Sequence, residues 1–452
     1  MEKRNQAAKL IIGAVVVIIA VLVLGGIIAG HAIKYKAAPL NRDDIDYKSV
    51  QAPEATSADG TITANDWNAI YPDIVFSMGR NIENGDDPDE VVNYLELDPY
   101  LIAIYEGYGF AKDYGSARGH AYTLTDVAKT LRPHGNANCL TCKTPNFTKL
   151  VNDEGDEVYS RKFDDVYQQL NGNDAETVSC YTCHGNNPGN GTKAKENLTV
   201  THGYITLALG DNLGTIDPGI LACGQCHIEY YFDAKTNATR MPHDSIEAMT
   251  PEATYEYYKT VLSKDGTPGF YDWEQPSTGA KMLKVQHPEM ETVLLGKHAG
   301  LLNCADCHMP VVQNKETQNI YHSHLLVSPL KDQTLLESCL VCHGDMGENS
   351  VHTTDEMVTF VTNIQNNITA EEKRVGTLLA EFKLMLAAAN ESKTLSEEQL
   401  DEVRELYRKA QWFFDYCYAE NSEGAHNSDL ARRCLSTAED LINEGMALLG
   451  AE

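Results

Sequence analysis

The sequence of 452 residues predicts a mainly α-helical protein with little β-structure and with long helices at its carboxyl end. Three observations support this fold class. From about residue 354 onward, apolar residues recur every three to four positions, which is the period of an amphipathic helix. Alternating, strand-like runs are few. Ten of the twelve cysteines form five Cys-x-x-Cys pairs, so we expect much of the core to form around the groups that these pairs hold.

The amino-terminal segment predicts export. Residues 10–28 form an uncharged apolar run that follows Lys3, Arg4 and Lys9. Such a run is long enough for a short membrane-spanning helix, and the basic residues before it stay on the cytoplasmic side. We therefore predict that residues 1–31 are an uncleaved membrane anchor or a cleaved signal sequence, and that residues 32–65 are a linker. In both cases the body lies outside the cytoplasm, in the periplasm or on the outer face of the membrane.

The charge balance limits the partners of the chain. It has 36 Lys and Arg residues against 65 Asp and Glu residues, a formal net charge of −29. A field of this sign repels polyanions, so the sequence predicts no binding to nucleic acid. A small anionic substrate would have to be attracted by a local positive field inside the protein.

Four of the five cysteine pairs are followed at once by a histidine. Two thiols at this spacing can add to the two vinyl groups of a haem, and the adjacent imidazole can then bind the iron. Zinc ribbons do not require that histidine, disulfide frameworks do not repeat one five-residue word, and thioredoxin-like pairs occur singly. The four motifs are Cys180-Tyr-Thr-Cys183-His184, Cys223-Gly-Gln-Cys226-His227, Cys304-Ala-Asp-Cys307-His308 and Cys339-Leu-Val-Cys342-His343.

The fifth pair, Cys139-Leu-Thr-Cys142, is followed by Lys143 instead of histidine. Either the site is degenerate, or it holds a haem whose axial ligand is a lysine amine, which binds metal only when it is deprotonated. A changed axial ligand alters the reactivity of the iron. One unusual haem beside four ordinary ones is typical of a catalytic centre that is supplied with electrons. Each ordinary haem would take a second histidine, which the spacing alone does not identify among the eleven others.

With five such motifs, the first ending in lysine, the chain resembles the pentahaem cytochrome c nitrite reductases that form ammonia. The similarity extends over roughly residues 65–430 and includes Arg118-Gly-His120, Thr130-Leu-Arg132 and the segments 223–232, 281–289 and 304–312. It implies a multihaem cytochrome c fold with a haem-packed core, a pentahaem catalytic domain over residues 66–353, and a homodimer. The implied cofactors are five covalently bound haem c groups and one Ca²⁺.

The resemblance also assigns roles to single residues. It implies that His120, His298, His324 and His426 are the second axial ligands of the haems whose motifs end in His227, His343, His184 and His308, respectively. His322 competes with His324 for this role. The implied catalytic residues are Arg132, Tyr230 and His287. The implied calcium ligands are the side chains of Glu229 and Gln286 and the carbonyls of Tyr230 and Lys284, an all-oxygen set that suits calcium.

Each of these residues also has a plainer interpretation. Arg132 would otherwise bind a haem propionate, Tyr230 would pack against a haem, and His287, which precedes a proline, would cap a turn. Glu229 and Gln286 would otherwise be solvated surface groups. His134, in a short loop beside Arg132, is either an ordinary loop histidine or has a role that the sequence leaves open.

The function implied by the resemblance is the dissimilatory six-electron reduction of nitrite to ammonium, with electrons from a multihaem quinol dehydrogenase or another cytochrome. A multihaem electron carrier without catalysis is one alternative. The same site acting mainly on sulfite or hydroxylamine is the other.

The carboxyl-terminal region, residues 354–452, is predicted to be helical, to contain the dimer interface and to supply one distal haem ligand. A long amphipathic helix is expected to begin near residue 354 and to break at residues 390–393. Ser396 and Gln399 fit a capping box that opens a second helix, and a third begins near Asn427. Cys417 and Cys434 lie outside the haem motifs and are candidates for a disulfide bond, which distance decides.

Overall fold

The structure is a computed structural model that describes residues 40–85, 91–172, 174–186 and 194–450. The predicted anchor or signal sequence lies outside these residues. No helix within them is both long and apolar enough to cross a membrane.

The described chain is mainly helical, as the sequence predicts. We call residues 64–353 the motif-bearing body and the three long helices after it the carboxyl-terminal helices. The body has fourteen mostly short α-helices in its described part: α1 Ala64–Trp67, α2 Pro72–Gly79, α3 Tyr94–Leu97, α4 Tyr100–Ile104, α5 Thr123–Lys129, α6 Pro145–Glu154, α7 Phe163–Gln169, α8 Cys180–His184, α9 Gly203–Leu209, α10 Pro218–Gly224, α11 Pro251–Tyr258, α12 Glu289–Leu294, α13 Cys304–His308 and α14 Gln333–His343.

Extended structure is limited to three two-stranded antiparallel ladders within the described residues. In the third ladder Val311 pairs with His322, so this hairpin returns the chain beside the fourth motif. The ladders are formed by β1 Tyr231–Phe232 with β2 Thr239–Arg240, β3 Trp273–Glu274 with β4 Lys281–Met282, and β5 Val311–Gln313 with β6 Ile320–His322.

The carboxyl-terminal helices are α15 Thr354–Ser392, α16 Glu397–Tyr418 and α17 Ser428–Leu448, which confirms the three helices that the periodicity predicts. The α15 helix ends where Lys393 adopts a left-handed conformation with φ of 53°, which halts helical propagation. The predicted capping box is formed: the Ser396 N–H donates to Gln399 Oε1 at 2.9 Å, and the Gln399 N–H donates to Ser396 Oγ at 3.3 Å.

The largest apolar core lies between these three helices and the parts of the body packed against them, including Leu101, Tyr255 and Met282. The Phe382 and Tyr407 rings, both fully buried, meet edge to face at 5.5 Å. A side chain at Gly445 would overlap the Phe382 ring, so glycine permits the close approach of α17 to α15. The other apolar clusters of the described body are smaller and separate.

Candidate haem-binding and catalytic site

A single cavity of about 2770 Å³ runs through the motif-bearing body. Residues of all five cysteine motifs line it, and so do Lys143 and the four motif histidines. Ordinary small-molecule sites measure roughly 300–1,000 Å³, so this volume suits several large groups rather than one ligand. Among the ten motif cysteines, Cys342 is exposed and the other nine are half-buried.

Local sequence explains how the motif histidines are presented. In the second, fourth and fifth motifs the histidine is the last residue of its helix, the second cysteine is the residue before it, and the first cysteine lies one turn earlier. The fourth motif begins with a capping box, in which the Asn303 N–H donates to Asp306 Oδ2 at 2.8 Å and the Asp306 N–H donates to Asn303 Oδ1 at 3.3 Å. One helical turn thus presents both thiols and the imidazole to the cavity.

Each motif histidine faces a second histidine from a distant part of the chain. A histidine nitrogen lies about 2 Å from a metal that it binds, so two rings on opposite sides of one iron have centroids roughly 6 Å apart. Five histidine ring pairs of the described chain have this spacing. Four give each motif histidine a different distant partner: His120–His227 at 6.2 Å, His184–His324 at 6.3 Å, His298–His343 at 6.2 Å and His308–His426 at 6.1 Å. The fifth, His227–His287 at 6.2 Å, shares its motif histidine with the first. The residues present therefore fit haem with two histidine ligands at four places.

Several of these rings are fixed through Nδ1, which leaves Nε2 for a metal. The Nδ1 atoms of His308 and His324 lie 3.1 Å from the Val327 carbonyl and 2.9 Å from the His322 carbonyl, respectively. The Nδ1 atom of His184 lies 2.5 Å from the Asn197 carbonyl. Metal-binding histidines commonly use the second nitrogen in this way. Burial lowers the pKa of His324 to about 4, and burial with the neighbouring His227 lowers the pKa of His120 to about 4.

The choice between His322 and His324 has a geometric basis. Both histidines direct Nδ1 to a backbone carbonyl, and His322 lies 3.0 Å from the Met309 carbonyl. However, the ring that pairs with the motif histidine His184 is that of His324.

The lysine motif differs from the other four. Its Lys143 side chain lines the cavity, and the Lys143 carbonyl accepts a hydrogen bond from Thr123 Oγ1 at 2.9 Å. The four ring pairs use every motif histidine and leave Lys143 without a counterpart of that kind in the described chain.

Arg132 lines the same cavity and is held on two sides. Its Nε–H donates to the Asp113 carbonyl at 2.6 Å, and its guanidinium carbon lies 3.7 Å from the Phe110 ring centroid. The Tyr114 ring lies at 5.4 Å. Burial lowers the pKa of Arg132 below its ordinary value, yet a guanidinium stays charged at neutral pH. The terminal nitrogens thus form a fixed positive group in a strongly acidic protein.

Tyr230 and His287 also face this cavity. Burial raises the pKa of the Tyr230 phenol well above its usual range, with further contributions from Cys142, Cys139 and Glu229, so the group is a neutral donor. The His287 ring lies 6.2 Å from the His227 ring, and its Nδ1 lies 3.5 Å from Asn421 Nδ2. The structure thus brings Arg132, Tyr230 and His287 to one cavity.

The four residues with implied calcium-binding roles also lie together. The Gln286 N–H donates to Glu229 Oε2 at 2.6 Å, and Gln286 Nε2 donates to the Lys284 carbonyl at 2.9 Å. Tyr258 donates its hydroxyl hydrogen to Glu229 Oε1 at 2.8 Å. Glu229 is 1% exposed, and burial raises its pKa well above the usual range. Glu229 thus accepts one hydrogen bond at each carboxyl oxygen and forms no ion pair with a basic residue of the described chain, and a buried carboxyl group of this kind suits a bound cation.

The structure also shows the surroundings of Cys417, Cys434 and His134. Cys417 and Cys434 are buried free thiols in the structure, so the candidate disulfide is not formed; Cys417 Sγ instead donates to Glu372 Oε1 at 3.2 Å. His134 stacks on the Phe163 ring at 4.4 Å and lines the cavity. Its Nε2 atom is buried without a hydrogen-bond partner in the described chain.

Sequence reasoning missed a set of residues that support the site from a distance. Asp415 pairs with Lys284 at 3.2 Å, both side chains being buried, and Asn421 donates to Glu289 beside His287. His202 lies where the first and third motifs meet, because its ligand atom and those of Cys142 and Cys226 lie within 4.8 Å of one another. These contacts join residues far apart in the chain, so no local sequence pattern predicts them.

The chain matches a family model and several solved structures. Residues 65–451 match the family model described as cytochrome c552. The chain resembles the cytochrome c nitrite reductase of Desulfovibrio desulfuricans, whose catalytic subunit has two calcium sites, with 27% identity, 87% of each chain covered and a TM-score of 0.74. An outer cell wall cytochrome, OcwA, matches at 20% identity over 72% of this chain and 48% of its own, with a TM-score of 0.38. An undecaheme cytochrome from the S-layer of Carboxydothermus ferrireducens matches at 16% identity over 73% and 41%, with a TM-score of 0.36.

Proposed function

The chain belongs to the cytochrome c552 family, and on this premise we propose that it is a pentahaem nitrite reductase that converts nitrite to ammonium. One observation carries the proposal: four histidine pairs surround a cavity in which the fifth motif offers Lys143 instead. A protein that only carries electrons needs no haem motif without a histidine, whereas a catalytic metal needs an open coordination position. The resemblance to a cytochrome c nitrite reductase at 27% identity supports the same function.

The ten motif cysteines attach five haem c groups, one for each motif. The ring spacings support His120 with His227, His324 with His184, His298 with His343, and His426 with His308 as the axial pairs. Lys143 would bind the iron of the first haem, and its amine would have to be deprotonated to do so. When bound, the haems supply six electrons for each nitrite and an iron at which the N–O bonds are broken.

Arg132, Tyr230 and His287 bind nitrite and supply hydrogen bonds and protons. The Arg132 guanidinium, fixed by the Asp113 carbonyl and the Phe110 ring, donates to a nitrite oxygen and attracts the anion despite the net charge of −29. His287 donates to the other oxygen, and the neutral Tyr230 phenol adds a third donor. Eight protons enter for each ammonium formed, and two waters leave.

One Ca²⁺ would bind next to the catalytic residues. Its ligands are the side chains of Glu229 and Gln286 and the carbonyls of Tyr230 and Lys284. Tyr230 is itself one of the proposed catalytic residues, and Gln286 directly precedes His287. An ion bound here would therefore hold Tyr230 and His287 in place. The buried Glu229 carboxylate, which lacks a basic partner in the described chain, supports this assignment.

The proposed setting is extracytoplasmic. Residues 10–28 anchor the chain or export it, and the electron donor is a multihaem quinol dehydrogenase or another cytochrome. A homodimer forms through the carboxyl-terminal helices, on which Leu384 and Leu448 are 59% and 45% exposed. Sedimentation of the purified protein tests the dimer, and Leu384→Glu is expected to weaken it.

Substitution of Arg132 tests the catalytic assignment. Arg132→Ala is expected to lower nitrite turnover by roughly 10²–10³-fold, as loss of one preorganised donor does elsewhere, with haem content unchanged. Arg161→Ala, which removes an arginine paired with Glu154 outside the cavity, is the matched control and is expected to keep full turnover. Unchanged turnover in Arg132→Ala would contradict the proposal.

Spectroscopy separates catalysis from simple electron transfer. The oxidised protein is expected to show one high-spin haem whose absorption shifts when nitrite is added. Lys143→His is expected to change that signal and to leave the four bis-histidine signals as they are. A protein with only low-spin haems and no response to nitrite would be an electron carrier. Turnover with nitrite, hydroxylamine and sulfite under reduced viologen ranks the substrates.

A further inference from the structure

A buried polar cluster connects the first three haem motifs and has no role in the function proposed above. We call it the motif junction and define it as Thr141, Thr182, Thr201, His202 and Gln225. Thr141, Thr182 and Gln225 are each the second residue between the two cysteines of their motif. All five residues are buried, with exposures of 0% to 7%.

Gln225 connects the third motif to the second. Its Oε1 accepts hydrogen bonds from the backbone N–H groups of Thr201, at 2.5 Å, and His202, at 3.0 Å. Because a backbone N–H only donates, these bonds fix the orientation of the amide. Its Nε2 then donates to the Thr182 carbonyl of the second motif at 3.2 Å. That carbonyl also accepts from Thr201 Oγ1 at 2.9 Å.

His202 connects the first motif to this arrangement. Its Nε2 lies 3.0 Å from the Thr141 carbonyl and its Nδ1 lies 3.2 Å from Gln225 Oε1, so each ring nitrogen faces an oxygen acceptor and the ring links the first motif to Gln225. The same ring lies between two attachment sulfurs, with Nε2 4.0 Å from Cys226 Sγ and the Cys142 sulfur within 4.8 Å. A metal held by these three residues is disfavoured, since both sulfurs are committed to thioether bonds and both ring nitrogens face oxygen acceptors.

We propose that His202 and Gln225 are positioning residues that hold the first three haem-attachment segments at fixed separations, and that His202 in particular sets the contact between the lysine haem and the third haem. A haem attached through two cysteines follows any movement of its segment. The junction therefore controls the gap across which each electron passes. In each passage the third haem is oxidised by one electron and the first is reduced by one, and no bond is made or broken.

This inference rests on the proposed haem attachment but not on nitrite as the substrate. Its test is therefore the reduction of the first haem, followed without nitrite. The holoprotein is mixed rapidly with a reduced cytochrome, which is too large to enter the cavity, and the high-spin band is recorded separately from the bis-histidine bands. Failure of the nitrite proposal would leave this rate measurable.

His202→Phe keeps a ring of similar size but removes both nitrogens. We expect it to slow reduction of the high-spin haem by roughly tenfold, a typical cost of losing an outer partner of a metal site. His202→Gln returns an N–H donor near the position of Nε2 and is expected to restore a rate close to that of the wild type. Ser263→Ala, which removes a buried hydroxyl that donates to the Gly269 carbonyl at 2.6 Å, away from the cavity, is the control and is expected to leave the rate unchanged.

An unchanged rate in His202→Phe with all five haems attached would overturn the proposal, even if the melting temperature fell, because that result describes a merely structural residue. If His202→Phe does not accumulate, His202→Asn replaces it. The shorter amide does not reach the Thr141 carbonyl, so a slower rate for Asn than for Gln supports the proposal. Equal rates for these two variants overturn it.

Discussion

The carboxyl-terminal helices bury most of their apolar side chains against protein, and only the first half of α15, from Met357 to Glu372, and the last residue of α16 line the cavity of about 2770 Å³ that the motif-bearing body surrounds. Helices α15, α16 and α17 have 39, 22 and 21 residues, and no α-helix of the described body exceeds 11. Short helices gain little from their own hydrogen bonds and depend on packing. In the body much of that packing must come from the haems, so the two regions should respond differently to haem loss and to mutation.

Loss of haem attachment should produce the largest difference in stability between the two regions. In chain produced without haem, backbone amides of the body are expected to lose their protection from hydrogen exchange, while those of α15 to α17 keep most of theirs. Exchange measured by mass spectrometry tests this. Cys434→Ala, which removes a cysteine outside the motifs, should keep both regions protected. Equal loss of protection in the two regions would show that haem organises the whole chain.

A cavity in the helical core is expected to have the next largest effect. Phe382→Ala removes a fully buried ring and should lower the free energy of unfolding by about 3–5 kcal/mol. The haem spectra should not change, because Phe382 does not line the haem cavity. Glu381→Ala on the same helix, at an exposed residue, should change the free energy by less than about 0.5 kcal/mol. Altered haem spectra in Phe382→Ala would mean that the regions are more tightly coupled than their packing suggests.

Glu372 gives the helical region a pH dependence of its own. Burial raises the pKa of this carboxyl from 4.5 to about 7, so the folded state holds a proton that the unfolded state has released. Its contribution therefore becomes less favourable as pH rises from 4.5 to about 7, by at most about 3 kcal/mol. Glu372→Gln should match the wild type near pH 4.5 and be more stable at pH 8. Denaturant unfolding at both pH values measures this, with the exposed Glu381→Gln as control. A pH-independent difference would contradict the assignment.

The smallest effect concerns the start of α16. Ser396→Ala removes the hydroxyl that accepts the Gln399 N–H, and it should cost about 1 kcal/mol of stability. Ser396→Thr keeps an accepting hydroxyl and should cost less. Thermal unfolding of both variants checks the order. If Ala and Thr behaved alike, packing alone would fix the start of this helix.

The two regions also differ in how far sequence predicts them. Periodicity and the Ser396 capping box predict within a residue or two where α15 to α17 begin and where α15 ends, because helix ends depend on neighbours in the chain. The motifs likewise predict which cysteines lie together. The sequence spacing does not predict which distant histidine faces each motif, and the assignments came from family resemblance. The spacing also gave no sign that His202 would meet Thr141 or that Asp415 would meet Lys284. Contacts of this kind depend on the path of the whole chain.

The length of α15 limits where the chain can tolerate inserted or deleted residues. At about 1.5 Å per residue its 39 residues span roughly 58 Å in one uninterrupted helix. Insertion of a single residue would rotate everything beyond it by about 100° and turn Phe382 away from the core. We therefore expect relatives to differ in length in the link over residues 393–395 and to have no insertions or deletions within α15.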